Sequence, residues 1–224
     1  MEKFSLFDFV SFILPGCTFL ILSYLLLSNQ SITWIPNELP ETEVIIIPLL
    51  LVGYLFGHIF SLIGKKTEKW ISGMKAPWIT YLKNNSYEAD VINSKCISLF
   101  NDGFINENKE IDVAKSDKLY DMIYDYIEFQ GYDDKIKILY SQYGFFRNSA
   151  AVWVSLFFLL LLLITFKLFG AAFIITTVFS LFFYIGITLL LLLASLMLCK
   201  KRKLLTMNYV YRTFFIMNIQ NLNK

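Results

Sequence analysis

Leu168 to Cys199 reads LFGAAFIITTVFSLFFYIGITLLLLLASLMLC, 32 consecutive residues without a charged side chain. A helix that crosses a hydrocarbon layer ~30 Å thick needs about 20 predominantly apolar residues. The run therefore decides the class, and it has companions. Ala150 to Phe166 is equally charge-free, and only Lys167, Leu168, Phe169 and Gly170 separate it from the span that follows, so a tight helical hairpin turning at Gly170 is expected. Phe9 to Leu27 lies in a stretch without charge between Asp8 and Glu38, and Val44 to Gly64 ends abruptly at Lys65-Lys66. The whole chain of 224 residues is 56% hydrophobic and 17% charged. Soluble domains carry roughly 45–50% apolar and about 25% charged residues. The expectation is an all-α membrane protein with four transmembrane helices and a helical cytosolic module inserted between spans two and three.

Four regions follow: an N-terminal membrane pair (1–64, spans about 9–27 and 44–64), a cytosolic helical module (65–149), a membrane hairpin (150–199, spans about 150–166 and 171–199), and a basic, aromatic tail helix (200–224). SNQSITWIPNELP after the first span lacks an A-x-A pattern, so an uncleaved anchor is expected. Lys and Arg in short flanks set orientation. The loop Ser28 to Glu43 has none, whereas Lys65 to Lys83 holds five lysines, Arg147 precedes span three, and Lys200-Lys201-Arg202-Lys203 follows span four. These boundaries predict a multi-pass protein of the bacterial inner membrane with both termini cytoplasmic. Lys167 is the one cation on the wrong side, and its stem can reach the headgroups.

Within the module, Leu119, Ile123 and Ile127 recur at helical spacing and Gly131 follows as a stop. Glu88 to Phe100 repeats the pattern more weakly, and a third helix starts near Asp133-Asp134 and runs into span three. Asn84 to Asp134 carries four lysines against twelve acids, while Lys200 to Lys224 carries six basic residues and no acid. Lys65, Lys66, Lys200, Lys201, Arg202 and Lys203 are candidate contacts for anionic lipid. Direct nucleic acid binding is not expected, because the distal surface is the acidic one. In the tail, Tyr211, Phe214 and Phe215 mark an aromatic helix face, open to three readings: packing on the module, contact with a partner or subunit, or lying on the membrane.

Polar and small residues inside the spans are the remaining candidates. Pro15-Gly16 breaks span one and is a candidate hinge. Gly53 and Gly57 form a GxxxG pair extended by Ser61 and Gly64, a face for close helix packing with another span or with a second copy. His58, the only histidine, lies six residues before Gly64, about 9 Å deep. Asp8 and Arg147 sit near the same depth, so a membrane-edge polar cluster of Asp8, His58 and Arg147 is expected. No catalytic or metal-binding residue is nominated: one histidine cannot build an HExxH site, and there is no Walker loop, no GxSxG and no carboxylate cluster in the spans. No cofactor and no enzymatic activity are expected. The three cysteines, Cys17, Cys96 and Cys199, have no CxxC spacing.

Phe7-Asp8, Leu14-Pro15-Gly16, Gly53-Tyr54, Gly57-His58 and Gln142-Tyr143-Gly144-Phe145-Phe146-Arg147-Asn148 together give the chain a likeness. It resembles bacterial four-span membrane proteins of defence loci, such as the small membrane accessory proteins of type VI-B CRISPR systems. The resemblance covers the spans and their edges. It implies an accessory role at the inner membrane beside a cytosolic RNA-guided nuclease or another anti-phage effector; joined to the small-residue faces, the expectation is a non-enzymatic accessory or effector that self-associates as a homo-oligomer and modulates membrane integrity or that nuclease. The alternative is a membrane scaffold or receptor that recruits a cytosolic partner without forming a pore. A thin polar stripe in spans three and four (Ser155, Thr165, Thr176, Thr177, Ser180, Thr188) argues against a pore lined by those spans.

Overall fold

The computed structural model describes residues 9–28, 42–72, 82–105, 111–171 and 174–222. A π-helical turn, Phe9–Ile13, leads into α1 (Leu14–Ser28); then follow α2 (Thr42–Ser72), α3 (Ser86–Phe100), α4 (Val113–Phe129), α5 (Asp134–Leu168) and α6 (Val178–Leu222). The described residues are helical apart from turns and one isolated bridge between Ile105 and Ile111. Four helices are long and apolar enough to cross a membrane: Phe9–Ser28, Ile46–Thr67, Asp134–Leu168 and Val178–Asn218. The chain divides into two compact units, one of Met1–Gly73 with Ser141–Lys200, the other of Met74–Tyr140 with Lys201–Lys224.

In the first unit Phe60, Ala151, Val152 and Leu156 form one apolar cluster against Phe19, Leu22 and Phe56. Leu160, Leu163, Ile164, Ile174 and Leu181 form a second. Outside these clusters large apolar side chains are exposed along whole helix faces, as at Ile47, Leu51, Leu55, Ile59 and Leu62 on α2. A helix that leaves such a face open in a folded chain is built for an apolar surrounding.

The second unit is packed from large side chains around one apolar core. Ala89, Ile92 and Cys96 of α3, Leu119, Ile123 and Ile127 of α4, Ile136, and Met207, Val210, Tyr211 and Phe214 of α6 are all buried together. Their spacing in each helix is that of one 3.6-residue stripe. Asn93 shapes the turn after α3: its Oδ1 accepts the N–H groups of Phe104 at 2.7 Å and Ile105 at 3.0 Å. Gly131 ends α4 with φ +75°, and the N–H groups of Gly131 and Tyr132 return to the carbonyls of Glu128 and Ile127. That pair of bonds is the Schellman stop that glycine makes available.

Two expectations are corrected. The connection between the last two long helices is not the tight four-residue turn that hydropathy suggests. Gly170 does close α5 with φ +80° and the same pair of bonds, but α6 begins only at Val178. Ile174-Ile175-Thr176-Thr177 is β-branched throughout and favours non-helical backbone. Ile174 is fully buried, Lys167 donates from Nζ to its carbonyl, and the Thr177 hydroxyl accepts the Ser180 N–H at 3.3 Å to cap α6. The tail is likewise no separate helix, since α6 continues through Lys200-Lys201-Arg202-Lys203 to Leu222. Nothing after Gly186 breaks it, and Lys and Arg are good helix formers.

Candidate functional site

Pro15 has no N–H, so the Ser11 carbonyl, four residues earlier, loses its regular helical donor. The backbone answers with the π-helical turn over Phe9–Ile13, and the Asn148 side chain of α5 donates from Nδ2 to that carbonyl at 2.6 Å. The Ser11 hydroxyl in turn donates to the Ser141 carbonyl of α5 at 3.1 Å. All three side chains are buried, Asn148 at 0% exposure. Oδ1 of Asn148 accepts from Arg147 Nε at 3.3 Å, and Arg147 Nη2 reaches Ser61 of α2 at 2.9 Å. A continuous line of hydrogen bonds therefore ties α2 through Arg147 and Asn148 to the entry of α1.

Beside this node the helices touch backbone to backbone. A Cβ on Gly16 would fall 1.8 Å from the Gly53 carbonyl oxygen, and one on Gly57 would fall 2.2 Å from that of Phe12. At Gly53 it would meet Cys17 Sγ at 2.4 Å, and at Gly64 the Arg147 carbonyl oxygen at 2.8 Å. Gly53, Gly57, Ser61 and Gly64 thus face α1 and α5 of their own chain. Pro15 and Gly16, nominated as a hinge, are both buried in this contact. The arrangement is a close crossing of the kind that small residues permit.

Asp8 lies outside the described residues. His58 and Arg147 take different surroundings. His58 is exposed, stacked on Phe12 at 4.3 Å between centroids and edge-on to Tyr54 at 4.5 Å. Arg147 is turned to Ser61 and Asn148 and lies over the Tyr143 ring at 5.4 Å. The reason is angular: Gly57 faces α1, and the next residue on a helix points about 100° away. No family model, curated protein or solved structure matches the chain. The site must be read from its own chemistry.

That chemistry is cohesive. The grouped side chains are the hydroxyls of Ser11 and Ser61, the Asn148 amide and the Arg147 guanidinium, which satisfy one another and the backbone carbonyls of Ser11 and Ser141. Ser11, Ser141 and Asn148 were not nominated from sequence; the missing donor at Pro15 was the signal that a polar side chain must come to Ser11. The tail residues are also placed differently from the nomination. Tyr211 and Phe214 are 1% and 0% exposed in the core of the second unit, and Phe215 is half-buried with its ring edge-on to Tyr87 at 6.2 Å. The stripe packs on the central module, the first of its three readings. Lys65, Lys66, Lys200 and Lys201 are exposed, whereas Arg202 and Lys203 are half-buried.

The later turns of α4 present a row of acids, the last of them paired with Lys137 at 3.2 Å. Asp121, Asp125 and Glu128 follow one another on the exposed side of α4, at positions i, i+4 and i+7, opposite the buried Leu119, Ile123 and Ile127. Tyr120 is buried, and its phenol shares a 2.7 Å hydrogen bond with Tyr140. Burial first, and the neighbouring Tyr140 second, push the Tyr120 hydroxyl well above the usual phenol range. Burial, helped by Asp102, pushes the Cys96 thiol up to about 12.

Proposed function

We propose that the protein is a non-enzymatic, multi-pass accessory protein of the bacterial inner membrane, with both termini cytoplasmic, that recruits a cytosolic partner. The observation that carries this reading is the use made of the small-residue face. Gly53, Gly57 and Gly64 are occupied by α1 and α5 of the same chain. The face most suited to self-association is thereby spent within one copy, which favours a recruiting scaffold over a pore assembled through that face. The partner surface is the acidic side of α4, and its complement is a basic protein surface. The resemblance to four-span proteins of defence loci supplies the context: the recruited protein is an anti-phage effector such as an RNA-guided nuclease.

The test is co-purification. Tagged protein solubilised from membranes should retain a cytosolic partner at low salt and release it as salt rises, since exposed charge pairs are screened. Asp121→Lys with Asp125→Lys and Glu128→Lys should abolish retention without altering the helical content of the protein. A closed oligomer that makes liposomes leak, with no partner lost in the triple variant, would sink the scaffold reading and restore the membrane effector.

A further inference from the structure

Arg147 is the one guanidinium of the first unit, and it has no carboxylate beside it among the described residues. A guanidinium carries five N–H donors. Here Nε bonds to Asn148 Oδ1 at 3.3 Å and Nη2 to Ser61 Oγ at 2.9 Å, and among the described residues no acceptor is bonded to the other N–H groups. The described side chains of this unit bring no acid at all: their formal charges are Lys65, Lys66, Arg147, Lys167 and Lys200. Arg147 stands three residues before Ala150, where the charge-free part of α5 begins. A cation at the edge of a span is ordinarily paired.

The geometry of α2 brings a second cation to the same place. Gly64 lets the Arg147 stem lie against the helix backbone, since a Cβ there would stand 3.2 Å from Arg147 Cγ. From this contact the guanidinium reaches Ser61, which lies about 60° around the helix from Gly64. Lys65 lies about 40° further in the same direction, one turn after Ser61, and is exposed. The Arg147 head is therefore turned toward the side that Lys65 occupies, and Cβ atoms at i and i+4 are only about 5–6 Å apart. Two positive charges meet at the ends of two long apolar helices, with nothing negative among the described side chains of the unit to separate them.

The fork selects what does. Planar N–H pairs match the oxygens of a phosphate, and at the edge of a span the phosphates at hand are those of lipid headgroups. Charge selects the lipid. A zwitterionic headgroup would bring its own ammonium beside two cations, with no carboxylate of this unit to receive it. An anionic headgroup brings only the phosphodiester.

We propose that Arg147 and Lys65, with Ser61 holding the guanidinium in place, form a site for the phosphodiester of one anionic phospholipid. The site is separate from the acidic side of α4, and it rests on the reading of α2 and α5 as membrane spans. Occupied, it bridges α2 to α5 and gives the protein a preference for a leaflet rich in anionic lipid.

Full-length protein in mild detergent, incubated with equimolar dioleoylphosphatidylglycerol and dioleoylphosphatidylcholine, should retain one phosphatidylglycerol per chain by native mass spectrometry, in preference to phosphatidylcholine. Lys65→Glu, at an exposed position, should lower that retention roughly tenfold or more, the worth of one charge-assisted hydrogen bond. Lys200→Glu makes the same change of charge at the end of the last span and should lower it much less. Arg147→Lys keeps the charge but loses the fork, and should narrow the preference between the two lipids; circular dichroism of each variant checks that the helices persist. Equal losses from Lys65→Glu and Lys200→Glu would mean diffuse attraction to a basic rim and would overturn the site. Equal retention of both lipids by the unsubstituted protein overturns it as well. Displacement of phosphatidylglycerol by millimolar inorganic phosphate would assign the fork to a soluble phosphate, against the lipid. Retention that appears only in Asp8→Asn would mean that the chain neutralises Arg147 itself, and the inference falls. A chain washed from membranes by alkaline carbonate fails the membrane reading first, whereas one that stays in the membrane fraction without lipid preference fails only here.

Discussion

The two units of this chain both pack apolar side chains, but only the first adds backbone-to-backbone contact at glycine and a buried chain of interhelical hydrogen bonds. The first brings α2 to α1 through glycine, so close that a single Cβ at Gly16 would lie 1.8 Å from a facing carbonyl oxygen, and adds buried hydrogen bonds from Asn148, Ser11 and Arg147. The second holds α3, α4 and the end of α6 apart with Ile, Leu, Tyr and Phe side chains that fill the space between. In lipid an apolar side chain gains nothing by leaving one hydrocarbon surrounding for another, so backbone contact and interhelical hydrogen bonds remain as the cohesive terms. In water the burial of apolar area dominates. The backbone contacts of the first unit are of the kind that an apolar surrounding favours, and the proposed membrane placement accounts for them.

The contrast can be broken most forcefully at Gly57. Gly57→Leu drives a branched side chain into the Phe12 backbone, and the expected outcome is loss of the folded spanning unit, read as aggregation on size-exclusion chromatography in detergent. Phe214→Ala should destabilise the second unit by roughly 3–5 kcal/mol through the cavity it leaves, measured by denaturant unfolding followed at Cys96, whose buried thiol is inert to maleimide until that core opens. An equal response of both units to either substitution would refute the division of labour.

Alkali should act on the second unit in a sign that is fixed by Tyr120. Its folded pKa is raised, so the neutral phenol belongs to the folded state. Below the ordinary phenol value of about 10 no stability is lost; above it the unfolded chain ionises first, and stability falls as pH rises. Near-ultraviolet circular dichroism should show the transition beginning near pH 10, and Tyr120→Phe should move it upward. The smallest effect is expected at Ser11→Ala. Interhelical hydrogen bonds in membranes average only ≈ 0.6 kcal/mol, so the thermal midpoint in detergent should drop by a few degrees at most, less than for Asn148→Ala, which strands the Ser11 carbonyl.

Reading the sequence locates the long apolar helices because charge-free length is a one-dimensional property. The partnership of tail and central module was also written in the 3.6 spacing of Met207, Val210, Tyr211 and Phe214, although the same stripe is equally compatible with an external partner. What a line of residues does not specify is azimuth. Arg147 and His58 share a depth, but only the packing of Gly57 against Phe12 turns the imidazole outward. Pro15 announces a carbonyl without a donor, yet which of many polar groups supplies the replacement depends on how α5 crosses α1. Hydropathy also treats Ile174 and Ile175 as span, although β-branching and the Thr177 cap keep them out of the helix.

The second unit is assembled from residues 74–140 and 201–224. On the ribosome its two halves are made at very different times. Ile92, Ile123 and Ile127 emerge early and must wait, their apolar faces uncovered, until the far end of α6, Met207 to Phe214, has been synthesised. Chaperones and proteases therefore have a window in which to inspect every copy. A chain stopped before Met207 would keep all four long apolar helices and still carry an open core, a marker by which quality control can tell an unfinished molecule from a finished one.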